Sequence, residues 1–167
     1  IAALQHLGVS PKAVLNTAQL IALILSFAFI GSSYLLLKSL LPQEFAALGA
    51  FLMMIQPVFL LFSFEPMVDL PCALLLMLAM RSYLRYRENS CRKNLAWVCF
   101  LTGAGMIMKY SLVVTPLIFS LAEVVVLRTK EKMRWSSIFK NGFIYLVPLI
   151  STGFYALISL ISFAPQY

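Results

Sequence analysis

Long apolar runs, interrupted at intervals by prolines and charged residues, set the pattern of this chain. A membrane-spanning helix needs roughly 20 mostly apolar residues, within a range of about 17–25. The first such run covers residues 14–37 and stops at Lys38, Pro42 and Glu44. The second covers 45–64 and contains Pro57, which predicts a kink because proline lacks an amide proton and clashes with the preceding turn. A third covers 66–86, and Arg81 and Arg85 near its end have stems long enough to reach the interface. A run at 141–162 carries Pro148 inside it.

Residues 95–127 are either one very tilted helix or two short ones with a turn near Lys109. As one helix they would reach about 50 Å, against a bilayer core of about 30 Å. Loop charge decides how they divide. Arg87, Arg92 and Lys93, next to Arg81 and Arg85, precede this stretch, and Arg128, Lys130, Lys132, Arg134 and Lys140 follow it. Basic residues collect in cytoplasmic loops. Two short spans, 95–109 and 111–127 with a turn near Lys109, return both clusters to one side. The pattern therefore predicts an all-α, polytopic transmembrane helix bundle of about six spans with both ends outside. Lys38 and the two clusters of five then make eleven of the thirteen Lys and Arg residues cytoplasmic, leaving Lys12 and Lys109 outside.

Composition agrees with an integral membrane protein. Hydrophobic residues make up 62% of the 167 and charged residues 11%; a soluble domain carries about 25% charged. Mean hydropathy is +0.92. The net charge of +7 follows from the loop bias and implies no nucleic acid. Cys72, Cys91 and Cys99 have neither metal-site spacing nor a disulfide framework. The chain starts at Ile1 without the features of a signal peptide, and is expected to be a piece of a longer polytopic protein, residues 1–167 forming part of one membrane domain.

Two of the six acidic residues, Glu65 and Asp69, stand four apart in "FSFEPMVDLP" between two apolar runs. On a helix they share a face, where like charges repel mildly. A cation, a proton or a polar substrate would offset that. The plainer readings are that Asp69 caps the next helix, with Pro71 in its first turn, and that Glu65 is solvated at the interface. Lys109, in "GAGMIMKYS", ends a helix so short that the ammonium is recessed in the membrane; an ionisable group there marks a functional site unless it snorkels outward. Gly103 and Gly105 suit close helix packing. Glu123 stands near Arg128 in sequence. Tyr83, Tyr86, Trp97, Trp135 and Tyr145 read as interfacial aromatics, His6 as a loop residue, and the basic clusters as topology determinants that can also meet anionic lipid.

"QPVFLLFSFEPMVDLPCALLLMLAMRSYLRYRE" followed by "NLAWVCFLTGAGMIMKYSLVVTPLIF" resembles the GT-C membrane glycosyltransferases, in the branch of the dolichyl-phosphate-mannose protein mannosyltransferases and aminoarabinose transferases. In that group a proline-containing span leads to an outer loop with an acidic residue just before the next span. A basic cytoplasmic loop follows, then a helix starting with Trp and ending in Lys and a turn. Asp69 matches the acid, and Trp97, Gly103, Gly105 and Lys109 match the later pattern. The resemblance implies transfer of a sugar, mannose or similar, from a polyprenyl-phosphate donor to a protein, lipid or glycan acceptor at the outer or lumenal face of the plasma membrane or endoplasmic reticulum. It implies that the loop with the principal catalytic acid precedes Ile1, so that the piece alone is inactive. A divalent cation serves some branches, but no ligand set for one stands in the sequence.

The chemistry asks for the same residue types. Transfer to a hydroxyl needs a carboxylate to take its proton, worth about 10²–10⁴ in rate, and a cation for the departing phosphate. Asp69 is the candidate for supporting the acceptor or a cation, Glu65 its weaker partner, and Lys109 the candidate for the donor phosphate. A transporter or lipid flippase would also use charges in broken helices, though at mid-depth. A non-catalytic membrane scaffold would need Asp69 only as a cap and Lys109 only as an anchor.

Overall fold

The computed structural model describes residues 10–64, 68–129, 131–138 and 141–163. Glu65, His6, Lys130 and Lys140 lie outside them. The described residues fold into α-helices and one 3₁₀ turn, arranged as two compact units, Ile1–Met77 and Leu78–Tyr167.

In the first unit, α1 spans Pro11–Lys38. Ser10 caps it, its Oγ accepting from the Ala13 N–H at 3.3 Å, and Pro11 takes the first helical position, where no amide proton is needed. The run around Pro57 becomes two helices rather than one kinked span: α2, Gln43–Met54, and α3, Pro57–Phe64. The Ile55 N–H still reaches Phe51 O at 3.1 Å, while Gln56 turns back to Met53 O at 3.3 Å. Pro57 can offer no bond at the next step, so the ladder restarts there. Both helices pack on α1, and Phe29 of α1 stacks on Phe59 of α3 with ring centroids 5.7 Å apart.

Helix α4, Asp69–Asn89, is continuous through Met77 and Leu78, where one unit ends and the other starts. In the second unit α5 covers Arg92–Met108, a 3₁₀ turn Tyr110–Val114, α6 Thr115–Thr129, α7 Trp135–Ile138 and α8 Gly142–Phe163. The core lies where α5 and α6 pack on α8, around Val98, Met106, Phe119, Phe143 and Val147. Thr102 and Ser151 hydrogen-bond across α5 and α8 at 2.7 Å, and Ser151 Oγ also donates to Cys99 O at 3.0 Å. Such buried hydroxyl pairs hold helices together where lipid weakens the hydrophobic drive.

The outward faces are apolar. Phe27 of α1 and Leu149, Leu160 and Ile161 of α8 are at least 66% exposed, as lipid-facing side chains are. Among the described residues three stretches are long and apolar enough to cross a membrane: Lys12–Lys38, Ser111–Thr129 and Trp135–Ile161. In α4 the length suffices, but Asp69, Arg81 and Arg85 interrupt the apolar run. The whole is an all-α membrane bundle.

Candidate functional site

Asp69 is the first residue of α4. The Cys72 N–H bonds Val68 O at 3.2 Å, so Val68 holds the cap position and Asp69 stands one step inside, where carboxylate charge complements the helix dipole. Asp69 is half-buried and lines a cavity of about 240 Å³ with Gln56, Phe29, Met53, Phe59 and Leu70. Gln56 stands at the junction between α2 and α3, just before Pro57. One carboxylate and one amide in an apolar wall can orient a hydroxyl-bearing molecule and accept its proton. Ser63 of α3 is buried and donates back to Phe59 O at 2.8 Å.

Lys109 sits between α5 and the 3₁₀ turn with extended backbone, φ −146 and ψ 109. Its N–H closes α5 on Gly105 O at 2.9 Å, and its carbonyl accepts from Leu112 N–H at 2.9 Å. The chain folds back so closely that a Cβ at Gly105 would lie 3.2 Å from Leu112 Cδ1. Gly103 is tighter still, its added Cβ falling 2.8 Å from Phe154 Cδ1. Lys109 is half-buried. Asp69 belongs to the first unit and Lys109 to the second.

The second unit also holds a cluster that the sequence did not single out. Glu123 of α6 is fully buried. Its carboxylate accepts from Tyr83 Oη at 2.9 Å, from Arg87 Nη1 at 2.9 Å and from Asn141 Nδ2 at 3.2 Å. Arg87 also pairs with Glu131. The neighbour in sequence, Arg128, turns instead to Met133 O at 3.2 Å and lies over the Trp135 ring, 5.5 Å from its centroid. A glutamate in "LAEVVV" signals that a partner is needed, but nothing in the sequence selects Arg87 among the basic residues. Both oxygens of this carboxylate are engaged within the protein, which makes it a structural clamp joining α4, α6 and the start of α8. Among the described residues no group of three or more His, Cys, Asp or Glu side chains is gathered to hold a metal ion.

Compared with known families, residues 1–163 match the model of the dolichyl-phosphate-mannose-protein mannosyltransferase family. No curated protein and no solved structure matches the chain. The match covers nearly the whole sequence, and the chain belongs to the dolichyl-phosphate-mannose-protein mannosyltransferase family. It is a membrane glycosyltransferase of the mannosyltransferase kind.

Proposed function

We propose that the protein transfers a sugar, mannose or a relative of it, from a polyprenyl-phosphate donor to a hydroxyl-bearing acceptor at the outer or lumenal face of the membrane. The acceptor oxygen attacks the anomeric carbon, the bond from that carbon to the phosphate oxygen breaks, and the acceptor proton passes to a carboxylate. Asp69 supports the acceptor or an accompanying cation from the wall of its cavity, with Glu65 as a secondary partner. Lys109 offsets the charge of the donor phosphate as it departs.

The observation that carries this reading is Asp69 lining an apolar cavity beside Gln56, in a chain of this family. A helix cap needs no cavity, and an interfacial carboxylate needs no amide beside it. The test is sugar transfer by the full-length protein with a panel of polyprenyl-phosphate sugars. Asp69→Asn should remove most transfer, on the order of 10²-fold or more, while expression stays near the parent's. Asparagine keeps the size and shape of the side chain and loses the charge. Full activity in Asp69→Asn would reduce Asp69 to a helix-terminal residue.

A further inference from the structure

On the other side of the charge pattern, α4 and α5 line a groove of about 430 Å³ in the second unit, and its wall carries Arg81, Arg85 and Lys93 with Trp97, above Leu78 and Leu101. Small-molecule sites occupy about 300–1,000 Å³. Arg81 and Arg85 stand four apart on one helix, so their charges repel. Among the described residues the ion pairs are those of Arg87 with Glu123 and Glu131; both of those carboxylates are taken by Arg87, and neither pairs with Arg81, Arg85 or Lys93. The groove's lining thus carries three cationic side chains and no carboxylate.

We propose that this groove holds the phosphate headgroup of an anionic glycerophospholipid from the leaflet facing the basic loops. It is separate from the donor-phosphate role given to Lys109. Two guanidinium forks and an ammonium match the oxygens of a phosphodiester. The rest of the wall selects a lipid over a free anion. Leu78, half-buried in the lining, offers apolar surface for the glycerol and the first acyl carbons. Trp97 is 46% exposed, edge-on to Phe100 with centroids 5.8 Å apart, as an indole placed at the level of headgroups is. Juxtamembrane cations attract anionic lipid with roughly a fivefold gain in affinity each.

Trp97 reports its own occupant. With Trp135→Phe, Trp97 is the sole tryptophan of the chain, which has two. The chain is placed in nanodiscs of phosphatidylcholine with a minor fraction of phosphatidylglycerol, and the brominated acyl chains, which quench indoles on contact, are carried by one lipid or the other. Brominated phosphatidylglycerol should quench Trp97 far beyond its mole fraction. Arg81→Gln/Arg85→Gln/Lys93→Gln should remove that excess, on the order of a hundredfold in relative affinity. Lys93→Gln alone, at an exposed position that folding tolerates, should lower it roughly fivefold. Arg128→Gln/Lys132→Gln/Arg134→Gln removes the same charge from the other basic loop and should leave the excess in place. Quenching that follows mole fraction, or an equal loss in that second triple variant, would overturn the proposal. Displacement by undecaprenyl phosphate at a far lower mole fraction than phosphatidylglycerol would also overturn it, because the groove would then belong to the donor.

Discussion

At the scale of single side chains, the proposed chemistry and the fold's main polar commitment rest on different residues, and the two should respond differently to change. Lys109→Met keeps a flexible apolar stem and removes only the ammonium. It should weaken use of the polyprenyl-phosphate donor by about ten- to a hundredfold, the equivalent of one charged hydrogen bond, with little effect on folding. Lys109→Arg should recover part of this, since a planar fork replaces a point charge imperfectly. Donor-concentration kinetics of the two variants check it; unchanged donor dependence in Lys109→Met would make the lysine an anchor. Glu123 behaves as the opposite case. Arg87→Met leaves a buried carboxylate with only Tyr83 and Asn141 as donors, and should cost about 3 kcal/mol of stability. Tyr83→Phe removes one of several donors and should cost nearer 1 kcal/mol. Thermal unfolding in detergent should therefore rank Arg87→Met well below Tyr83→Phe. Asp69 and Lys109 stand out in the sequence as candidates because charge inside apolar runs is conspicuous. The partner of Glu123 was not, because Arg87 lies 36 residues away in sequence and only packing brings it near.

Helices show where local rules are enough. The end of α5 at Met108 accords with length, since residues 95–127 as one helix would reach about 50 Å against a bilayer core of about 30 Å, and with the small residues that let the chain double back. Pro57 was legible as a disruption, but its result, two helices with Gln56 at the junction, depends on how both pack on α1. Asp69 differs from the expected cap by one residue, which is the usual uncertainty of a helix boundary and moves its charge into the first turn. The packing of α5 on α8 is legible only in part: Gly103 announces a close approach, and Phe154 and Ser151 as the surfaces approached come from the structure alone. Gly103→Val puts branched atoms where one Cβ already lies 2.8 Å from Phe154 Cδ1 and 3.4 Å from Ser151 O. It should destabilise the second unit by about 1–3 kcal/mol, read as a lower unfolding midpoint. Gly153, whose added Cβ meets nothing within 4 Å, should accept alanine without loss.

For the whole molecule, the sequence alone shows an all-α membrane protein through its sparse charge, and the outward apolar faces of α1 and α8 supply the physical reason. The sorting of charge between the two sides is the claim on which the proposed chemistry rests, because it assigns Asp69 and Lys109 to the face opposite the basic loops. Sidedness of cysteine labelling tests it most directly. Cys91 is already exposed, while Cys72 and Cys99 are buried. In a Cys72→Ser/Cys99→Ser background Cys91 reports the first basic loop. With Cys91→Ser added, Ser136→Cys reports the second, and Val68→Cys and Ser111→Cys, both at exposed positions, report the neighbourhoods of Asp69 and Lys109. A membrane-impermeant maleimide applied to sealed, oriented vesicles should label Cys91 and Ser136→Cys from the cytoplasmic side only, and Val68→Cys and Ser111→Cys from the opposite side only. Labelling of Cys91 and Ser136→Cys from different sides would contradict the account: residues 95–127 would cross the membrane once, and Lys109 could not meet a donor phosphate at the outer face.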